Sequence, residues 1–345
     1  MGREPELWKL EQLLDKSVHG YGKFVLLNGE PGIGKTALAR SFLYTAERHH
    51  PSLLVGRGAC VEQYGTGEAY RPFLAALPGL LAGRAREHVV GLLRRHAPTW
   101  CLQFRSVFSD SAIEQLEHEA SGANKDRMLR ELGDALEEIA KVLPVVLLLE
   151  DLHWADSSSI DLIRYLGQRA KTQRLLLIGT ARPEEHEPGH RLLKHCTQEL
   201  QTQSACEEIE LGALEKGHIT RYLNDYFSPN AFPPELAEII HRKTEGHPLF
   251  ATGVFQLLAE HGDAFKQDGM WRLARPITEM DLAVPESVRG MIGKKLEILE
   301  AEDRRVLRYA SIEGEEFLST VLAALLEVDE VVLEDRLERL ERPIA

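Results

Sequence analysis

Eight residues, Gly29-Glu30-Pro31-Gly32-Ile33-Gly34-Lys35-Thr36, constrain this chain more than any other stretch of it. They fit a G-x-x-x-x-G-K-[ST] pattern. The glycines carry no Cβ, so the backbone can curl until several N–H groups point at one centre. Lys35 adds a positive charge at that centre, and Thr36 offers a hydroxyl to a divalent cation. The flanks agree. Phe24-Val25-Leu26-Leu27 is a short apolar run that predicts a buried strand, and Ala37–Leu43 predicts a helix whose N-terminus faces a bound anion. The plainer reading is a glycine-rich strand-to-helix turn without a ligand, and it loses ground because strand and helix are both in place. The stretch predicts a nucleoside triphosphate site, with Gly29, Pro31, Gly32, Ile33, Gly34, Lys35, Thr36 and Ala37 around the phosphates.

The chain has 345 residues, enough for two or three domains with separate cores. Its longest apolar run, near Val145–Leu149, is far too short to span a bilayer. The N-terminus is charged within its first few residues, unlike a signal peptide. The four cysteines (Cys60, Cys101, Cys196, Cys206) form no C-x-x-C pair and fit a reducing, cytoplasmic compartment. A formal net charge of −13 argues against a nucleic-acid clamp, which needs surplus Lys and Arg. His49-His50, and His186 with His190, lack a ligand set and read as solvated surface.

The remaining pattern alternates strands and helices. Pro5 suits the first turn of an opening helix that shows Leu7, Leu10, Leu13 and Leu14 on one face. Ser52–Gly56 predicts a second strand, and residues 70–142 read as mostly helical. The clearest helix there is Asp126–Val142, with Met128, Leu129, Leu132, Ala135, Leu136 and Ile139 aligned. Val145–Leu149 and Leu175–Gly179 are apolar without alternation, as strands buried on both faces are, with a helix at Ser157–Ala170 between them. From Leu214 to about Gly262 the pattern is helical, broken at Ser228–Pro234 and Gly246-His247-Pro248. Asp268-Gly269 predicts a turn between extended pieces at Ala264–Lys266 and Met270–Leu273. Helices are expected near 287–298, 302–311, 317–326 and 330–341. The end at Arg342-Pro343-Ile344-Ala345 has no closing element, which reads as a piece of a longer protein.

Two further groups carry chemistry. Val145–Leu149 delivers Glu150 and Asp151 at a strand end, where carboxylates can hold Mg²⁺ and orient or deprotonate an attacking water. Register favours Glu150 for the metal and Asp151 for the water. Arg182, after the strand that ends at Gly179, can reach a γ-phosphate and report its presence. His153 admits two readings, a phosphate sensor or a packed, hydrogen-bonded core histidine. Asp156 reads as the cap of the Ser157 helix rather than as a positioning group. Gly246-His247-Pro248 reads either as a helix stop and start or as an apolar cover for an adenine face.

Taken together, Arg3-Glu4 before a helix, GEPGIGKT, LLLEDLHWAD, GTAR and the later GHP resemble the STAND class of AAA+-related signal-transduction ATPases. The likeness is to the ATPase module of large LuxR-type transcription regulators and of certain adenylate cyclases and kinases, and it covers essentially the whole chain. Val284–Ile292 is similar to that family's entry into a winged-helix region. The resemblance implies that Arg3 lies near the adenine, and that Lys35 and Thr36 serve phosphates and Mg²⁺. It implies that Glu150 and Asp151 form the Walker B pair, Arg182 is a sensor arginine, and Pro248 packs on the adenine. In that family the nucleotide sits between an α/β domain, a helical lid and a winged helix. ADP holds a closed form, and exchange for ATP opens it and permits self-association. Glu150 stands where Asp is commoner.

The expected architecture is an α/β P-loop NTPase domain over 1–212, a parallel sheet with helices on both faces. A helical lid with a short hairpin follows over 213–284, and a mostly helical, winged-helix-like region over 285–345. The expected function is a slowly hydrolysing ATP/ADP switch using Mg²⁺, whose sensor and effector domains lie outside this chain. A constitutive ATPase motor or transport component is the first alternative. A DNA-binding factor using the winged helix is the second, and Glu313, Glu315, Glu316, Glu327, Asp329 and Glu330 weigh against it.

Overall fold

The computed structural model describes every residue except 1, 62–67, 83–84, 108–109, 121, 123, 184–187, 278–289, 291–292, 294–295, 297–298, 314–316 and 342–345. The chain divides into two compact units, Arg3–Gly212 and Ala213–Ala345.

The first unit is built on five parallel strands: β1 (Lys23–Asn28), β2 (Leu54–Ala59), β3 (Val145–Glu150), β4 (Leu175–Ala181) and β5 (Cys206–Glu210). Their order in the sheet is β2-β3-β4-β1-β5. β4 therefore lies between the phosphate-loop strand and the strand that ends at Glu150. Val25 aligns with Ile178 across one junction, and Leu148 aligns with Ile178 across the other. Every residue of β4 is buried, which is why its sequence shows no polar alternation.

Period-2 geometry sorts the strand side chains onto two cores. Phe24, Leu26, Leu147, Leu149, Leu175 and Leu177 join one face. It is covered by α3 (Arg71–Leu80), α4 (Arg86–His96), α7 (Lys125–Val142), α8 (Ser157–Ala170) and α9 (Pro188–Thr202). Val25, Leu27, Val146, Leu148, Leu176 and Ile178 join the other face, covered by α1 (Glu4–Val18) and α2 (Lys35–His49). The short helices α5 (Pro98–Cys101) and α6 (Asp110–Glu119) complete the stretch between α4 and α7. Full burial of one such Leu or Phe contributes about 1.5–3 kcal/mol, so both faces hold the sheet strongly.

Differences from the sequence reading have local causes. β2 starts two residues later than expected and runs on through Gly56-Arg57-Gly58, because those glycines let α3 approach the strand backbone. β5 and α9 are additions. Among the described residues β5 is an edge strand that pairs only with β1, and three of its five residues are Glu. Lys9 and Lys23 pair with Glu207, so its acids are carried at the surface rather than excluded from the sheet.

In the second unit α10 (Lys216–Tyr226), α11 (Glu235–Thr244) and α12 (Pro248–Glu260) close on Phe227, Leu236, Ile240 and Phe255. The hairpin β6 (Ala264–Gln267) and β7 (Met270–Leu273) adds Trp271 edge-on to Phe227. Further along, helices Ala301–Glu313, Ser319–Leu326 and Glu330–Glu341 share a small core of Val306, Leu322 and Leu333. The expected winged-helix entry at Val284–Ile292 lies almost wholly outside the described residues, as do most of 287–298, His186, Glu315, Glu316 and Arg342–Ala345.

Candidate nucleotide-binding site

In a parallel sheet all C-terminal strand ends share one edge, and in doubly wound folds ligands bind there. Here that edge carries the phosphate loop after β1, Glu150 and Asp151 after β3, and Arg182 after β4. Order β3-β4-β1 places the Arg182 strand between the other two.

The loop has the conformation its glycines allow. Gly34, the N-cap of α2, has φ 104, and Gly29 has φ 149. A Cβ on Gly29 would also sit 2.7 Å from the Leu211 carbonyl oxygen. The N-cap Gly34 makes no side-chain capping bond, and the N-terminus of α2 opens onto the loop, as helix starts that bind anions do. Lys35 is buried and curls back into the loop. Its ammonium donates to the carbonyls of Gly29 at 2.5 Å and Glu30 at 2.8 Å. Carbonyl oxygens thus hold the charge at the loop centre, where a phosphate oxygen would find it.

Arg3 braces the same loop. Its guanidinium donates to the Ile33 carbonyl at 3.0 Å, the Gly212 carbonyl at 2.6 Å and Glu6 Oε1 at 3.2 Å. The sequence ties Arg3 to the adenine only through family resemblance. The contacts give it a second task, fixing the loop backbone to the end of the first unit.

At the end of β3, Glu150 Oε2 lies 4.0 Å from Arg40 Nη2 of α2, a residue the sequence reading passed over. Asp151 turns into the left-handed region (φ 58, ψ 46), sparsely occupied by residues other than glycine. Its N–H donates to Thr180 Oγ1 at 2.9 Å. Thr36, Glu150 and Asp151 each offer oxygen donors, the ligand type Mg²⁺ takes, so the chemistry of the residues at this edge fits that ion.

His153 follows in the short 3₁₀ turn Leu152–Trp154. It is wholly buried, and among the described residues neither ring nitrogen has a hydrogen-bond partner. Burial, then the charges of Arg182 and Lys35, push its pKa down to about 3, so the ring is neutral. Asp156 is a helix cap, accepting from the N–H groups of Ser158 and Ser159. The four cysteines are buried thiols, with pKa values raised mainly by burial. Pro248 belongs to the second unit, where it opens α12 behind His247. The His247 ring stacks on Phe250 at 4.1 Å.

A family model described as an AAA ATPase domain matches residues 1–178, which include the phosphate loop and the Glu150–Asp151 pair. The chain belongs to the AAA ATPase domain family. As members of that family do, it has an ATPase domain built for nucleotide binding. An uncharacterized protein of Rhizobium meliloti (strain 1021) is 26% identical over 335 residues, covering 94% of this chain. The chain spans only 31% of that relative's length. Among solved structures, a Walker-type ATPase of Pyrococcus abyssi is similar at 18% identity and TM-score 0.46, over 94% of this AAA chain and 87% of its own. A STAND protein with a tetratricopeptide repeat sensor from Pyrococcus horikoshii is similar at 14% identity and TM-score 0.39. That match covers 95% of this chain and 38% of the other.

Proposed function

We propose that this AAA ATPase domain is a slow ATP-hydrolysing switch, serving as the regulatory module of a larger signalling or transcription-regulatory protein. The observation that carries the proposal is the meeting of Lys35, the Glu150–Asp151 pair and Arg182 at one edge of a single sheet. In this reading Lys35 and the first turn of α2 bind the phosphates. Thr36 and Glu150 hold Mg²⁺, which when bound supplies charge neutralisation on the phosphates. Asp151 orients the attacking water and accepts its proton. Arg182 contacts the γ-phosphate and distinguishes ATP from ADP. The switch character rests on the family resemblance, including Arg3 and Pro248 at the adenine and the division into 1–212, 213–284 and 285–345. Self-association on ATP binding belongs to the same reading.

The test is to purify the chain, identify any nucleotide it carries, and measure MgATP binding beside phosphate release. Bound ADP and slow turnover are expected. Lys35→Ala should weaken binding by roughly ten- to a hundredfold, the value of a charge-assisted bond to phosphate. Asp151→Asn should keep binding while turnover falls. An empty site with fast turnover would replace the switch by a constitutive ATPase, and undiminished binding by Lys35→Ala would remove the site.

A further inference from the structure

We infer that the last three described helices carry a docking face for one kind of partner: a helix of another protein, apolar along one side and flanked there by lysine and arginine. The inference is independent of the nucleotide site. The helices are α13 (Ala301–Glu313), α14 (Ser319–Leu326) and α15 (Glu330–Glu341).

α14 shows the face most plainly. Its sequence, Ser-Thr-Val-Leu-Ala-Ala-Leu-Leu, carries no charge. Leu322, Ala323 and Leu326 turn inward to the small core shared with Val306 and Leu333. Val321 and Leu325, one turn apart, face outward at 42% and 51% exposure. A helix apolar all round belongs inside a structure, and here one side is open to solvent. The surface continues through Val328 to Val331 (65% exposed) and Val332 (56%) on α15. Among the described residues, eight large apolar side chains stand exposed between Ile312 and Val332. Single exposed apolar residues are ordinary, but a run this dense marks a contact surface. Val328 and Val332 also line a groove of about 260 Å³ with Val306, Leu326 and Leu333, a place to seat a partner's side chain.

Charge selects the occupant. Between Ser319 and Glu341 the chain has seven acids and two arginines. Glu334 and Asp335 follow Val331 and Val332 by one helical turn, so they flank the valines at the surface. Glu327, also exposed, precedes Val328. Arg336 does not neutralise these acids, because it pairs with Glu302 at 2.6 Å and Asp303 at 3.6 Å. A second copy of this face would set acids against acids, and an anionic membrane would meet the same repulsion. A helix with lysine or arginine beside its apolar stripe gains both the apolar contact and the charge contact. No described residue of this chain covers the face, so the occupant comes from another polypeptide.

The test uses the full chain and a fluorescent helical peptide of leucine and lysine. Two control peptides accompany it, one with glutamate for lysine and one with serine for leucine. Anisotropy should show the leucine–lysine peptide binding roughly tenfold or more tighter than either control. Leu325→Asp and Val332→Asp should each weaken it roughly tenfold. Glu334→Lys should weaken it roughly threefold at low salt, with a smaller effect at high salt. All three side chains are exposed, so the variants should fold, and an unchanged melting temperature checks that. Hydroxyl-radical footprinting should label Leu325 and Val332 strongly in the chain alone and show them protected by the peptide. Equal binding of the three peptides, or full affinity in both aspartate variants, overturns the face. Shielding of Leu325 in the chain alone would give the face to a segment of this same chain. A concentration-dependent dimer that Leu325→Asp splits would give it to a second copy. Binding to phosphatidylserine vesicles that Leu325→Asp abolishes would give it to a membrane. Each of these three outcomes removes the partner helix.

Discussion

His153 sits in an environment far from its reference state. It is wholly buried, and burial, with the charges of Arg182 and Lys35, pushes its pKa down to about 3 from the ordinary 6.5. The sign follows from linkage. Above about pH 6.5 both folded and unfolded chains carry the ring neutral. As pH falls below that, the unfolded chain takes up a proton that the folded one refuses until about pH 3, so stability drains away on acidification. The slope approaches ~1.4 kcal/mol per pH unit for one fully shifted group. Urea denaturation at pH 7 and pH 5 should therefore show a smaller loss in His153→Gln than in the parent, and equal losses would mean the ring is not shielded as described. At this scale the sequence was informative where a residue's chemistry is a local pattern. Lys35, Thr36, Glu150 and Asp151 stand in recognisable runs. Thr180 and Arg40 were not legible as partners, because Thr180 meets Asp151, and Arg40 approaches Glu150, only through tertiary packing. A polar Thr inside a strand that is otherwise buried and nearly all apolar was the one available hint.

Elements built from unbroken apolar runs were plain in the sequence, since a strand buried on both faces needs no alternation. β3, β4 and α8 start where the pattern predicts. β2 and β5 were harder for opposite reasons. In β5 the edge position tolerates Glu at three of five places, which erases the hydrophobic signal. In β2 glycine replaces side chains where α3 crowds in. A Cβ on Gly58 would lie 1.8 Å from the Pro72 carbonyl oxygen, and one on Gly56 2.7 Å from that of Ala76. These are backbone atoms of α3, so relief requires the helix to move. Gly58→Ala should cost about 1–3 kcal/mol or more, seen as a lower urea midpoint with an unchanged slope. Gly91, exposed inside α4 with nothing within 4 Å of its would-be Cβ, supplies the opposite sign. Gly91→Ala should gain up to ~1 kcal/mol from helix propensity. The same chemical change thus separates close approach from conformational cost. Similar effects at the two positions would show that α3 does not press on β2 as described.

Across the whole molecule, two units with separate cores mean that heating need not give one transition. A ligand that binds only folded protein raises the melting point of what it binds, by RT ln(1 + [L]/Kd). At a hundredfold excess over Kd that is about 2.7 kcal/mol. For a unit the size of Arg3–Gly212 it corresponds to a rise on the order of 5–10 °C. Calorimetry of the full chain should show that rise with MgATP in the transition belonging to the phosphate-loop unit. Lys35→Ala, with its ten- to hundredfold weaker binding, should keep only about 0.4–1.4 kcal/mol of that stabilisation at the same MgATP concentration, since the ammonium that Gly29 and Glu30 now hold is the charge offered to the phosphates. Asp151→Asn should keep the full shift, because its proposed work comes after binding. If Asp151→Asn loses the shift together with Lys35→Ala, the carboxylate contributes to holding the nucleotide and its metal. The division of labour between Glu150 and Asp151 would then reverse. If neither variant loses it, the stabilising site lies away from the loop, and the sheet edge gives up its claim to the nucleotide.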